Sequence, residues 1–417
     1  MSKLRQYLQL AIIGLSFSAI MALPYIHFKL YDLITETMGV SNQELGSFMT
    51  IFTLFAMGIY IPGGVLTDRF RPGTLIAVGL VGEVVAHVVL LLQLNYAGGI
   101  VSWAISGAMT GLYWVAMVKA IRETGAGEDQ AKMFGCFYGA TGVFSTLIGF
   151  AGSQFVVMSP ESLEAAFRNL LYFQIALCGL AAVLIHTTLV RHPDAVAGTE
   201  EAQPKITLAA VKDALRLPAV WLMTALIFCG YGIYLCVGYL TPYTTNVLGA
   251  SLAMGGVIGT IRAYGLRLFT GPISGWAADK YGSTATVLLG SFVLVAITTL
   301  VVLTLPPDTS TGLLIALTLF FGFIGLVIYT IMLSCLEETR IPKEKTGIAV
   351  AMISIIGYTP DALFPLLFGY LLDAFGNRGY TYIFMVAIAL CIIGSGVCLK
   401  ILAGKRGHAA QGLAAAA

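Results

Sequence analysis

Apolar runs of roughly twenty residues recur from one end of this 417-residue chain to the other. As helix, about 20 residues cross the ~30 Å hydrocarbon layer of a bilayer. Inside that layer every backbone amide needs a partner within the protein, and a helix supplies one within its own segment. With proline, glycine and charge clusters as breakpoints, helices are predicted at 7–30, 44–66, 74–95, 98–119, 132–157, 167–190, 218–243, 252–276, 284–305, 311–334, 347–371 and 380–402. The predicted fold class is therefore an all-α membrane protein with twelve transmembrane helices. Composition points the same way, because 58% hydrophobic and 11% charged residues leave too little charge to cover a soluble surface.

The longest polar stretch, with Pro193, Pro204 and a short amphipathic piece at 208–215, lies between the sixth and seventh runs. It divides the chain into an amino-terminal six-helix bundle (1–190), a cytoplasmic linker (191–217) and a carboxy-terminal six-helix bundle (218–405). Residues 406–417 form a tail whose closing Gly-Leu-Ala-Ala-Ala-Ala is read as extraneous. The first run lacks a small-residue cleavage site and is read as a retained helix. Lysine and arginine mark cytoplasmic loops. With the amino terminus inside, eighteen of them fall in inside segments, whereas only Lys29, Arg168 and Arg378 fall outside. Both termini are thus predicted to be cytoplasmic, in a multi-pass protein of the inner membrane.

The two halves echo each other. Gly64-Val65-Leu66-Thr67-Asp68-Arg69 closes the second run, and Gly275-Trp276-Ala277-Ala278-Asp279-Lys280 closes the eighth: a glycine, three spacers, an aspartate and a cation. The stretch from Tyr113 through Glu128 likewise parallels that from Tyr329 through Glu344. On these residues the chain resembles the major facilitator superfamily, whose loop between helices two and three reads G-x-x-x-D-R/K-x-G-x-R/K-R/K. Gly64, Asp68, Arg69 and Arg71 keep part of it, and Gly275, Asp279, Lys280 and Gly282 keep part of a second copy. Tyr31-Asp32 and Ser41-Asn42-Gln43-Glu44-Leu45-Gly46 are also similar to a bacterial porter subgroup. The resemblance implies two pseudo-symmetric six-helix bundles that rock about a central cavity. Physically, a carboxylate at a helix end beside cations can hold one side closed. Asp68 with Arg69, and Asp279 with Lys280, are therefore the gating candidates, with topology-setting loop charge as the alternative.

Four formal charges remain well inside predicted helices: Glu83, Arg262, Arg267 and Asp361. Each costs about 2.5–3.5 kcal/mol on insertion scales, so each needs a cavity or a partner. A guanidinium is a planar fork suited to a carboxylate or phosphate. Arg262 and Arg267 are accordingly candidates for gripping an anionic substrate, or else for ion pairing. Five residues turn a regular helix by about 140°, so the two are expected to face different ways, Arg262 with Gly255, Gly259 and Phe269, and Arg267 with Thr260, Tyr264, Gly271 and Ser274. Asp361 is read as an arginine's partner, as the proton carrier, or as both, and Glu83 as the second proton candidate or as half of a buried pair with His87. Lys29 is expected either to face the outer mouth of the cavity or to snorkel to the interface.

Tyr25, Tyr231, Tyr234, Tyr239, Tyr243, Tyr329 and Tyr358 fall on helices that line the cavity in the family resembled. The substrate-binding set is then Arg262, Arg267, Tyr231, Tyr234, Tyr358, Tyr25 and Tyr329. Seven scattered cysteines show no metal-ligand spacing, and no nucleotide loop or basic tract occurs. No metal, cofactor, nucleic-acid partner or enzymatic activity is predicted, and a monomer in lipid is expected. The expected function is secondary active transport of a small polar solute, an organic anion, by alternating access, coupled to protons or to a counter-substrate. The alternative is a proton-coupled exporter of amphipathic or cationic compounds.

Overall fold

The computed structural model describes residues 3–124, 130–159, 161–190, 208–306, 309–339, 341 and 346–416. The predicted linker up to residue 207, and Glu128 and Glu344 of the internal echo, lie outside the described residues. In chain order the helices are α1 (Lys3–Ile20), α2 (His27–Met38), α3 (Asn42–Arg69), α4 (Pro72–Leu92), α5 (Tyr96–Thr124), α6 (Gln130–Met158) and α7 (Leu163–Ile185). There follow α8 (Leu208–Leu215), α9 (Pro218–Asn246), α10 (Leu252–Thr260), α11 (Arg267–Tyr281), α12 (Thr284–Thr304), α13 (Thr311–Ile331), α14 (Thr346–Gly357), α15 (Pro360–Phe375) and α16 (Arg378–Ala416). Among the described residues, nine helical segments are long and apolar enough to cross a membrane. The predicted spans at 7–30, 44–66 and 252–276 are not among the nine, and the first and last of these are interrupted helices.

Local chemistry sets the helix ends. Ser41 accepts from the Glu44 amide while Glu44 accepts from the Ser41 amide, a reciprocal cap that starts α3. Pro72, Pro218 and Pro360 occupy first turns, where a missing N–H costs nothing. Gly282 closes α11 at φ 62°, a left-handed value that a side chain disfavours. The amphipathic piece at 208–215 is α8.

Packing is distributed unevenly. One apolar cluster, with Leu10, Ile76, Tyr113, Phe137 and Ile185 among its members, belongs to α1, α4, α5, α6 and α7. The larger cluster runs without a break from Phe28, Phe48 and Trp103 into Ile227, Phe292 and Phe368, joining the first half to the second. Several polar contacts between the halves lie at one end of the molecule. There Asp373 of α15 accepts from the backbone amides of Asn42 (3.0 Å) and Gln43 (2.8 Å) at the start of α3. Asp32 of α2 accepts from Asn246 Nδ2 at 2.8 Å and from the Thr245 hydroxyl. The residues that resembled a porter motif, Asp32 and Ser41 to Gly46, therefore build this seal: Gly46 lets α3 reach the Pro365 backbone, where a Cβ would lie 2.2 Å from its carbonyl oxygen.

Candidate functional site

Three helices lose their regular period near one another, and the polar side chains of the interior sit at those interruptions. Residues 21–26, with Pro24, separate α1 from α2 and present Tyr25. Tyr358 and Thr359 form a turn before Pro360, which places Asp361 in the first turn of α15. Ile261–Gly265 form one π-helical turn between α10 and α11, with the Leu266 amide donating to the Ile261 carbonyl at 2.9 Å. Discontinuous spans and π-turns free backbone and re-aim side chains, so they recur at functional sites.

Asp361 is 7% exposed. Its Oδ2 accepts from the Tyr25 hydroxyl and from Thr53 Oγ1, each at 3.2 Å, so that two donors from the first half meet a carboxylate of the second. Among the described residues its Oδ1 is buried without a hydrogen-bond partner. The Tyr231 ring packs edge-on against Tyr358 at 4.8 Å, and its hydroxyl lies close enough to Asp361 and Tyr25 to feel both electrostatically. The amino end of α15 favours a negative charge here. The expected pairing of Asp361 with an arginine is not formed. The ion pairs among the described residues are His87–Glu83, Arg168–Glu164, Arg216–Asp213 and Lys405–Glu338.

Arg267 lies in a box of tyrosines. Its Nη2 donates to the Tyr234 hydroxyl at 2.7 Å, and its guanidinium carbon sits 5.4, 5.7 and 5.3 Å from the ring centres of Tyr234, Tyr264 and Tyr329. Ring faces stabilise a cation at such distances by about 0.5–2 kcal/mol each. Tyr234 and Tyr329 stack at 4.5 Å, and Tyr231 adjoins both, which links the arginine to the Asp361 cluster. The Arg267 Nε is buried with no acceptor among the described residues. This fork has donors to spare.

Arg262 behaves differently. It is 1% exposed, with Nη2 donating to Thr241 Oγ1 at 2.6 Å and Nη1 to Thr318 Oγ1 at 3.4 Å. Its stem crosses Gly322, where a Cβ would stand 2.3 Å from the arginine Cγ. Both arginines therefore lie in the seam between α9 and α13, contrary to the expectation that they face apart. The wide π-turn is the reason: one extra residue in the turn absorbs about 100° of rotation and leaves some 40° between them. Phe269, expected on the Arg262 side, is exposed.

The remaining candidates are dispersed. Glu83 is fully buried inside the first half, where Oε1 accepts from Ser106 Oγ at 3.0 Å. His87 bonds the Glu83 carbonyl at 2.7 Å and Gln174 Oε1 at 2.9 Å. All these partners belong to one half, so this cluster stands apart from Asp361. Asp68 is at the end of α3, and its side chain lies outside the described residues; the neighbouring Thr67 carbonyl accepts from Lys119 Nζ at 2.7 Å. Arg69, Asp279 and Lys280 are exposed, with Lys280 over the Trp276 ring at 4.7 Å. Lys29 neither snorkels nor faces an open mouth: it is 5% exposed, with Nζ 5.2 Å from the centre of the Tyr264 ring. Sequence reasoning missed Thr53 and Asp373, since a lone threonine in an apolar helix and an acid near a helix end carry no signal of their own.

The sequence profile of the Major Facilitator Superfamily matches residues 7–363 and 248–414. The Inner membrane protein YihN of Escherichia coli (strain K12) is 24% identical over 396 residues, covering 92% of each chain. A mutant of the nucleoside transporter NupG superposes with a TM-score of 0.75 at 13% identity, covering 95% of this chain and 99% of that one. A bacterial homolog of the human lysosomal transporter Spinster, inward-facing and unoccupied, superposes with a TM-score of 0.72 at 14% identity, over 96% and 99% of the two chains.

Proposed function

We propose that this chain, which belongs to the Major Facilitator Superfamily, is a secondary active transporter that carries a small organic anion across the inner membrane by alternating access. The multi-pass helical fold and the relatives support the transporter part, and a relative named as an inner membrane protein supports the location. The anion assignment is carried by one observation. Arg267 stands in the interior near the junction of the halves with no acid within ion-pair distance among the described residues, held by a tyrosine hydroxyl and three aromatic faces, its Nε free. Such a fork is complete only when a carboxylate or phosphate fills it. Asp361, buried in the second half and held by two hydroxyls of the first, is the proton carrier; exchange against a counter-substrate is the other mode of coupling.

The seal of Asp32 and Asp373 closes one end. With both termini cytoplasmic this is the outer end, closed in this state. Asp68, Arg69, Asp279 and Lys280 then serve at the cytoplasmic end, where they close the opposite state. A second reading has its own support: the unpartnered Asp361 Oδ1 beside Tyr25, Tyr231 and Tyr358 would suit a cationic or amphipathic solute awaiting export. Uptake into proteoliposomes separates the two. Replacing Arg267 with lysine keeps the charge and loses the fork. It should weaken anion affinity about tenfold or more while leaving the melting temperature unchanged. Competition by lipophilic cations, and none by anions, would instead establish the exporter.

A further inference from the structure

Lys29 is the cation for which the reading above has no use. It lies on α2, in the first half, immediately before Leu30, where φ −132° and ψ 48° kink the helix. Its side chain is buried, and among the described residues no carboxylate lies within ion-pair distance of it and no hydrogen bond from its ammonium is found. What it meets is the ring of Tyr264, at 5.2 Å, and the same ring carries the Arg267 guanidinium at 5.7 Å. One tyrosine thus seats two cations, one from each half. Asp361 compensates neither, its contacts being Tyr25, Thr53 and Tyr231. A buried lysine without a counter-ion is costly. That penalty falls when the second negative charge of a ligand held by Arg267 reaches the ammonium.

Resting on the assignment of Arg267 to the substrate anion, we propose that Lys29 is its second binding group, so that the preferred cargo is a small dianion, a phosphate monoester or a short dicarboxylate. The division of labour follows from the donors. Arg267 offers a planar fork to one pair of oxygens, and Lys29 offers a compact charge to the second negative charge. Because the two groups belong to different halves, a ligand that touches both binds better in the state where the halves adjoin at Tyr264. It therefore shifts the equilibrium toward that state. A monoanion engages Arg267 alone and shifts it less.

The test uses purified full-length protein in detergent at pH 8, with melting temperature and calorimetric affinity as readouts, and two matched probe pairs: methyl phosphate against dimethyl phosphate, and succinate against monomethyl succinate. In the wild type, one dianion should bind about tenfold or more tightly than its singly charged partner, and the pair that shows the difference identifies the headgroup. Lys29→Met should bring the dianion down to the affinity of the monoanion and leave the monoanion unchanged, whereas Lys29→Arg should keep the preference. Where Lys29→Met does not fold, Lys29→Gln carries the same comparison. Equal binding of dianion and monoanion by the wild type, or a preference that survives loss of Lys29, overturns the role of Lys29 and leaves that of Arg267 standing. No binding of any probe, together with an Arg267→Lys variant indistinguishable from wild type, overturns both.

Discussion

The seal between α3 and α15 should respond to a single methyl group. At Gly46 a Cβ would sit 2.2 Å from the Pro365 carbonyl oxygen and 2.9 Å from the Leu366 Cα, and at Gly369 it would sit 2.2 Å from the Asn42 carbonyl oxygen. These obstacles are backbone, which cannot rotate away, so Gly46→Ala or Gly369→Ala must push the two helices apart. Overpacking of this kind costs about 1–3 kcal/mol. That cost applies only to the state in which the helices touch, because when they separate the methyl meets nothing. The helix-propensity gain of alanine over glycine, about 0.5–1 kcal/mol, is present in both states and cancels. The equilibrium should therefore move toward the open seal by about 5- to 150-fold, with loss of the 2.6 Å bond from Thr50 Oγ1 to the Ala362 carbonyl and of the Asp373 contacts. Spin labels at Glu36 and Asn377, which face the same 310 Å³ cleft at this end, report the separation by pulsed electron resonance. Six of the seven native cysteines are buried, so only Cys136 has to be removed for labelling. The wild type should give one short distance, each alanine variant a second and longer one, and Gly179→Ala, whose methyl meets nothing within 4 Å, the wild-type pattern. An unchanged distance distribution in both seal variants would refute the reasoning.

Other expectations concern the interior. Asp361→Asn should abolish uphill accumulation driven by a proton gradient while substrate exchange continues; full accumulation in that variant removes Asp361 from coupling. Gly322→Ala should displace the Arg262 stem, whose Cγ would stand 2.3 Å from the new methyl, at a cost of about 1–3 kcal/mol. The melting temperature should fall, with affinity little changed, and a loss of affinity alone would assign Arg262 to the substrate.

What the sequence could and could not reveal divides along a physical line. Apolar run length gave the membrane fold, because the bilayer imposes one length on every span. Asp361 and Arg267 stood out because a charge in a lipid-length run is conspicuous whatever surrounds it. Their partners did not stand out. Asp361 is held by Tyr25 and Thr53 instead of an arginine, and hydroxyls in a chain with 19 tyrosines are inconspicuous. Orientation failed for a more specific reason. The regular helical period does not hold between Arg262 and Arg267, because the π-turn of Ile261–Gly265 breaks it. A single span ending at residue 30 fails likewise, because the break at 21–26 lets α2 run on to Met38 and carries Lys29 from the expected outer mouth to the Tyr264 ring. Periodic reasoning must mislead at such points, because a helix can bring side chains from different sides of its surface into one site only by abandoning its period there. The irregularities in α1–α2, α10–α11 and α14–α15 are thus the positions where the fold gives up regular hydrogen bonding, and they are also where Tyr25, Lys29, Arg267 and Asp361 are found.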